Sequence, residues 1–134
     1  MKRKVLVVPC SGIGKPFGSI GRDAVFRVVD ELRPGVSETD CLSLLVSGDP
    51  DAERRVREGP CIAVDGCPME CARKNVEHAG GRVDAHVRVM DALRENRGLR
   101  PQTVTVLDAD GRKLSEIVAQ MIATKVDELV GGAQ

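Results

Sequence analysis

Short apolar runs, helically spaced apolar stripes and glycine or proline stops alternate along the chain. Residues 5–8 (Val-Leu-Val-Val) form a β-branched and aliphatic run that breaks at Pro9-Cys10-Ser11-Gly12-Ile13-Gly14. That pattern predicts a buried parallel strand running into a tight glycine loop. Ile20, Ala24, Val25, Val28, Val29 and Leu32 then recur at helical spacing as far as Pro34-Gly35, so a helix follows the loop. Residues 41–46 are mostly apolar but too short for periodicity to separate strand from helix. Asp49 and Pro50 offer an N-cap and a first-position proline to a solvated helix over residues 51–58, which Gly59-Pro60 stops.

Residues 61–64 (Cys-Ile-Ala-Val) read as a second buried strand, which Asp65-Gly66-Cys67-Pro68 turns into a helix running to about Ala79 and ended by Gly80-Gly81. Val83, Ala85, Val87 and Val89 alternate with polar residues, including His86 and Arg88, as a half-buried strand does, and residues 103–107 suggest one more strand. Leu114, Ile117, Val118, Met121, Ile122, Val126 and Leu129 share one face of a long amphipathic helix that Gly131-Gly132 should stop. Strands alternating with helices predict a single-domain α/β sandwich over residues 1–134, Rossmann-like, with a mainly parallel sheet flanked by helices.

The 134 residues are 42% hydrophobic, with 20 Lys+Arg set against 20 Asp+Glu, proportions that suit one compact domain and exclude a disordered chain. Zero net charge and an aromatic content of two Phe, with no Trp or Tyr, argue against a nucleic-acid partner, which calls for basic excess and stacking surfaces. No apolar run approaches the roughly 18 residues of a membrane-spanning helix. The short run after Met1-Lys2-Arg3-Lys4 is also too brief for a signal-peptide core. A cytoplasmic protein with no membrane partner is expected. In a reducing compartment five cysteines, an odd number, read as metal ligands or reactive thiols before disulfides.

In open parallel sheets the ligand crevice lies beyond the carboxyl ends of the strands, and Cys10 and Cys67 both fall where an expected strand gives way to a loop. They should therefore converge. Cys67 stands at the expected helix start and Cys71 one turn along the same face. Helix N-termini favour thiolate over thiol, which suits metal ligation and nucleophilic chemistry alike. Four thiolates close the tetrahedral sphere of a structural Zn(II) and also satisfy an iron–sulfur cluster. Cys10, Cys41, Cys67 and Cys71 are the candidate ligands. Cys61 opens a strand and goes to the core, where cysteine packs as a small hydrophobe. Asp65 reads first as an acceptor for backbone amides in its turn. Its second reading is as a support for the thiolates, a role also open to Ser11 beside Cys10. His78 and His86 read as surface or core residues, with His86, on its alternating strand, the stronger candidate for more.

Pro-Cys-Ser-Gly-Ile-Gly at 9–14, Asp-Cys-Leu at 40–42 and above all Ile-Ala-Val-Asp-Gly-Cys-Pro-Met-Glu-Cys-Ala-Arg-Lys at 62–74 resemble the DGC-domain family, small proteins to which zinc binding is ascribed. The resemblance places that family's recurring cysteines on Cys10, Cys41, Cys67 and Cys71 and its name motif on Asp65-Gly66-Cys67. It covers roughly residues 5–90, is loose over 43–59, leaves Cys61 extra, and assigns no motif to 91–134, which reads as a C-terminal extension. It implies a metal site without an established reaction.

A rival reading rests on the first unit alone. A strand ending in Cys10 and a glycine loop also resembles the B components of sugar phosphotransferase systems, where a cysteine carries a phosphoryl group in a backbone nest. More broadly, Cys10 or Cys67 would serve a metal-free thiol enzyme or carrier moving sulfur, electrons or a phosphoryl group. That reading leaves the other cysteines unexplained. Phe17 stands where a dinucleotide fingerprint needs its third glycine, and Pro16 follows Gly14-Lys15 where a P-loop needs Ser or Thr. Asp108-Ala109-Asp110-Gly111 reads as a turn and cap for the last helix. On that helix Met121, Ile122, Val126 and Leu129 should pack on the sheet, with part of the stripe open to a twofold homodimer contact.

Overall fold

The computed structural model describes residues 4–10, 16–66, 69–103 and 106–132. Along the chain come β1 (Val5–Pro9), α1 (Pro16–Arg27, continued by a π-helical stretch Val28–Leu32), β2 (Ser37–Thr39), α2 (Leu42–Ser47), α3 (Pro50–Glu58), β3 (Cys61–Asp65), α4 (Cys71–His78), β4 (Ala85–Arg88), α5 (Val89–Glu95) and α6 (Ala109–Gly132). The strands form one sheet in the order β2-β1-β3-β4, and every pairing is parallel, with Val7 opposite Thr39, Pro9 opposite Val64 and Asp65 opposite Arg88. The α/β architecture read from the sequence is the one observed.

Strand alternation divides the core between the two faces of the sheet. Val5, Val7, Ile62, Val64 and Val87 meet Ile20, Ala24 and Val25 of α1, Ala92 of α5 and Leu114, Val118, Ile122 and Val126 of α6. Leu6, Val8, Cys61 and Ala63 meet Leu42 and Leu45 of α2, Ala52 and Val56 of α3, and Ala72 and Val76 of α4, with Cys10 in the same cluster. The α6 stripe that offered a twofold contact packs within the protomer: Ile122 and Val126 are fully buried, and Met121 and Leu129 rest on the same cluster. Arg33 fixes α6 from its outer side through paired bonds of 2.7 and 2.8 Å to the Asp127 carboxylate. Among the described residues no helix is long and apolar enough to cross a membrane.

Several boundaries differ from the sequence pattern for local reasons. Residues 41–46 resolve into α2, ended by Gly48 at φ 82°, a left-handed position that glycine takes without strain. Ser37-Glu38-Thr39 forms an edge strand with no apolar residue to signal it. Only Ala85–Arg88 pairs as β4, because Val89 already opens α5, where Val89 and Ala92 are buried at helical spacing. The helix expected from Cys67-Pro68 is described from Cys71, behind Glu70 in the left-handed region at φ 56°, and the expected placing of Cys67 one turn before Cys71 lies outside the described residues. Helix α6 takes in Gly131 and Gly132, the last of the described residues. The caps hold as expected: Asp49 accepts the Ala52 N–H and Asp108 the Gly111 N–H. Of the strand suggested at 103–107, residues 104 and 105 lie outside the described ones, and Thr103, Val106 and Leu107 are not in a strand.

Cys61 lies where the sequence placed it, in the core. Burial, with the charge of Asp84 adding, pushes its thiol from the ordinary 9.0 up to about 12. A group whose folded pKa is raised holds its proton in the native state and releases it on unfolding. Its stabilising contribution is therefore complete below about pH 9 and lost as pH rises toward 12. The unfolding free energy from urea titrations should fall between pH 9 and 10.5 by up to about 1.4 kcal/mol per pH unit more for the protein than for Cys61→Ala. Parallel curves for the two proteins would contradict this burial.

Candidate functional site

Because the chain leaves β1 for β2 on one side and returns to β3 on the other, the sheet's switch point lies between the carboxyl ends of β1 and β3, where open α/β sheets form their ligand crevices. Cys10 follows β1 and Asp65 ends β3. The Cys10 N–H donates to the Val64 carbonyl at 2.9 Å, and the Gly66 N–H donates to Cys10 Sγ at 3.2 Å. The first of the expected thiols is thus brought against the backbone that leads into Cys67. Cys67 itself and Ser11 lie outside the described residues.

Gly66 is glycine for a steric reason. A Cβ there would lie 2.7 Å from the carbonyl carbon and oxygen of Phe17 and 2.8 Å from the Gly18 nitrogen, all backbone atoms of α1 that a rotamer change cannot move. Helix α1 therefore presses directly on the loop after β3.

Asp65 points to the α4 face of the sheet and is 1% exposed. Its Oδ1 accepts the Ala72 N–H at 2.8 Å and its Oδ2 the Arg73 N–H at 3.2 Å, so a carboxylate seven residues upstream satisfies amides that Glu70, the N-cap, leaves without a side-chain acceptor. His86 Nε2 lies 2.7 Å from Asp65 Oδ2. One carboxylate therefore joins β3, α4 and β4. With Nε2 at the Asp65 carboxylate, the other ring nitrogen, Nδ1, is directed at Glu70 and Arg88. That Nδ1 lies 3.9 Å from Glu70 Oε1 and 3.5 Å from Arg88 Nε. The Arg73 guanidinium, 2.6 Å from Glu70, holds the Glu70 carboxyl below its ordinary range, with Arg88 and His86 adding to the effect. Sequence reasoning treated Asp65 and His86 separately and missed Glu70 and Arg88. Alternation in β4 did mark His86 and Arg88 as sharing a face, but the parallel register that sets them beside Asp65 has no signature in the sequence.

Cys41 is exposed just before α2, and Cys71 is exposed as the first residue of α4. The Ser43 hydroxyl, 2.8 Å from Cys41 Sγ, lowers that thiol's pKa, helped by the Ser43 and Leu44 backbone. Cys10 and Cys41 line one cavity of about 550 Å³ beyond the carboxyl ends of β1 and β2. Cys61, at the opposite end of β3, stands apart by roughly 13 Å at about 3.3 Å per residue, and does not belong to this edge. Among the described residues no three Cys, His, Asp or Glu come close enough to hold a metal ion. Cys10, Cys41 and Cys71 are of the right chemical kind for a soft or borderline metal and come from separate segments, after β1, before α2 and at the start of α4.

The model of the DGC domain family matches residues 6–123. The chain belongs to the DGC domain family. The match reaches past the 5–90 resemblance and takes in α5 and most of α6. No curated protein and no solved structure matches the chain. In this DGC domain the name motif is a structural joint: Asp65 clamps α4 and His86, and Gly66 admits α1 and bonds Cys10.

Two substitutions probe that joint. Gly66→Ala must displace α1 and should cost about 2–4 kcal/mol in urea unfolding, a large value for one methyl group; a loss near zero would refute the close approach. Asp65→Asn leaves an amide nitrogen facing backbone N–H groups or the imidazole, and should cost about 3 kcal/mol. Faster hydrogen exchange at the Ala72 and Arg73 amides than elsewhere in α4 should accompany it.

Proposed function

We propose that this DGC domain is a metal-binding protein in which Cys10, Cys41, Cys67 and Cys71 together hold one Zn(II), an iron–sulfur cluster being the second candidate for the same donors. The observation that carries the reading is the Gly66 N–H bond to Cys10 Sγ, since it seats one thiol against the loop that supplies the next. Cys41 shares a cavity with Cys10, and Cys71 follows the same loop at the start of α4. Zinc bound by four thiolates is closed and serves structure or sensing, whereas a catalytic zinc keeps an open position. Asp65 and His86 act in this reading by fixing the backbone between the last two thiols, and Ser11 by supporting Cys10. Exposed Cys41 and Cys71 favour a reducing, cytoplasmic setting. The ion is the partner proposed, with neither nucleic acid nor membrane.

Metal analysis of anaerobically purified protein tests this. Colourless protein with about one zinc per chain is expected, with brown colour marking the cluster form. Cys10→Ser, Cys67→Ser and Cys71→Ser should lose most of the metal and, because binding to the native state is linked to folding, much of the Tm gain from added zinc. Cys61→Ser should keep both. Metal-free protein in which Cys10 or Cys67 alkylates far faster than the other cysteines, with no protection by zinc, would favour the metal-free thiol enzyme or carrier instead.

A further inference from the structure

The cavity beyond β1 and β2 contains a feature that the metal reading does not use. Arg22 of α1 is among its lining residues, and Arg22 Nη1 is buried with no hydrogen-bond partner among the described residues. Leaving a buried donor unmade is costly, more so on a charged group, and the acidic groups nearby are already engaged. Asp40 Oδ1 accepts the Cys41 N–H and its Oδ2 bonds Arg55, while Asp23 bonds Arg27 and Ser115. What holds the Arg22 fork is a 3.3 Å bond from Nη2 to Ser19 Oγ.

The remaining walls are mostly apolar. Phe26, one turn beyond Arg22 on α1, is 52% exposed and lines the cavity together with Leu42 and Pro9. The other phenylalanine, Phe17, packs on the core, so this exposed ring is not a matter of excess aromatic content. At about 550 Å³ the space has the size of a small-molecule site. Among the described residues Arg22 is the single cation lining it, and Asp40, the lining acid, is paired with Arg55. A guanidinium fork pairs with a carboxylate through two parallel bonds.

We propose that this cavity binds a small organic carboxylate, its acid group on Arg22 and its apolar body between Phe26 and Leu42, beside the Cys10 and Cys41 thiols. The inference goes beyond the metal reading and does not depend on it. Hexanoate serves as the probe, with hexanamide as its neutral counterpart and sulfate as a bare oxyanion, in NMR titrations followed through α1 and α2 amides. Metal content is measured on the same samples, with and without chelator, so that failure of the metal site is recognised separately. The site predicts saturable hexanoate binding at least tenfold tighter than hexanamide. Arg22→Met should weaken hexanoate at least tenfold while leaving the Tm unchanged or raised, because a buried N–H without an acceptor among the described residues is removed. Phe26→Ala should weaken hexanoate and leave the circular dichroism spectrum intact. No saturable hexanoate binding, equal binding of hexanamide, or unchanged binding by Arg22→Met would overturn the proposal. Sulfate competing as well as hexanoate would overturn the assignment to an organic acid.

Discussion

The carboxylate of Asp65 is the interaction on which the candidate site depends. A charge this deeply buried costs several kcal/mol to desolvate unless donors surround it, and here two helix amides and an imidazole do so. Those donors come from α4 and β4, so the bonds that stabilise the charge also fix the helix start and the outer strand relative to β3. The path from Gly66 to Cys71 is held at both ends as a result. Glu70 takes a left-handed backbone conformation on that path, of the kind side chains adopt where surrounding contacts over-determine them.

Gly66 extends the same constraint to the other side of the sheet. Its missing side chain lets the first turn of α1 rest on the loop, and its N–H bonds the thiol that ends β1. Behind α1 lies α6, with Leu114, Val118 and Ile122 in the shared core. The long C-terminal helix thus supports, from a distance, the element that presses on the loop. This is a physical reason for the family match to extend beyond the cysteines as far as residue 123.

The sequence made the larger pattern legible because apolar runs and glycine stops act locally. β1, β3, α3 and α6 each combine such a run with a cap or stop, and Cys61 could be sent to the core because it opened a buried strand. What escaped depended on pairing between distant segments. Ser37-Glu38-Thr39 is a strand because β1 lies beside it, and His86 partners Asp65 because β4 pairs in parallel with β3. The convergence of Cys10 with the Gly66 loop was legible from strand ends alone, whereas the start of α4 at Cys71 was not. A glutamate in the left-handed region and a cap contributed from another element leave no trace in a helical pattern. The unsatisfied Nη1 of Arg22 was equally hidden, since only the fold shows that no acceptor among the described residues reaches it.

X-ray absorption at the metal edge of the purified protein tests the central claim, that the carboxyl edge of this sheet gathers the four thiols Cys10, Cys41, Cys67 and Cys71 around one ion. The account predicts a first shell of sulfur alone, at about 2.3 Å for zinc. A nitrogen or oxygen shell at about 2.0–2.1 Å, or the absence of bound metal, would contradict it.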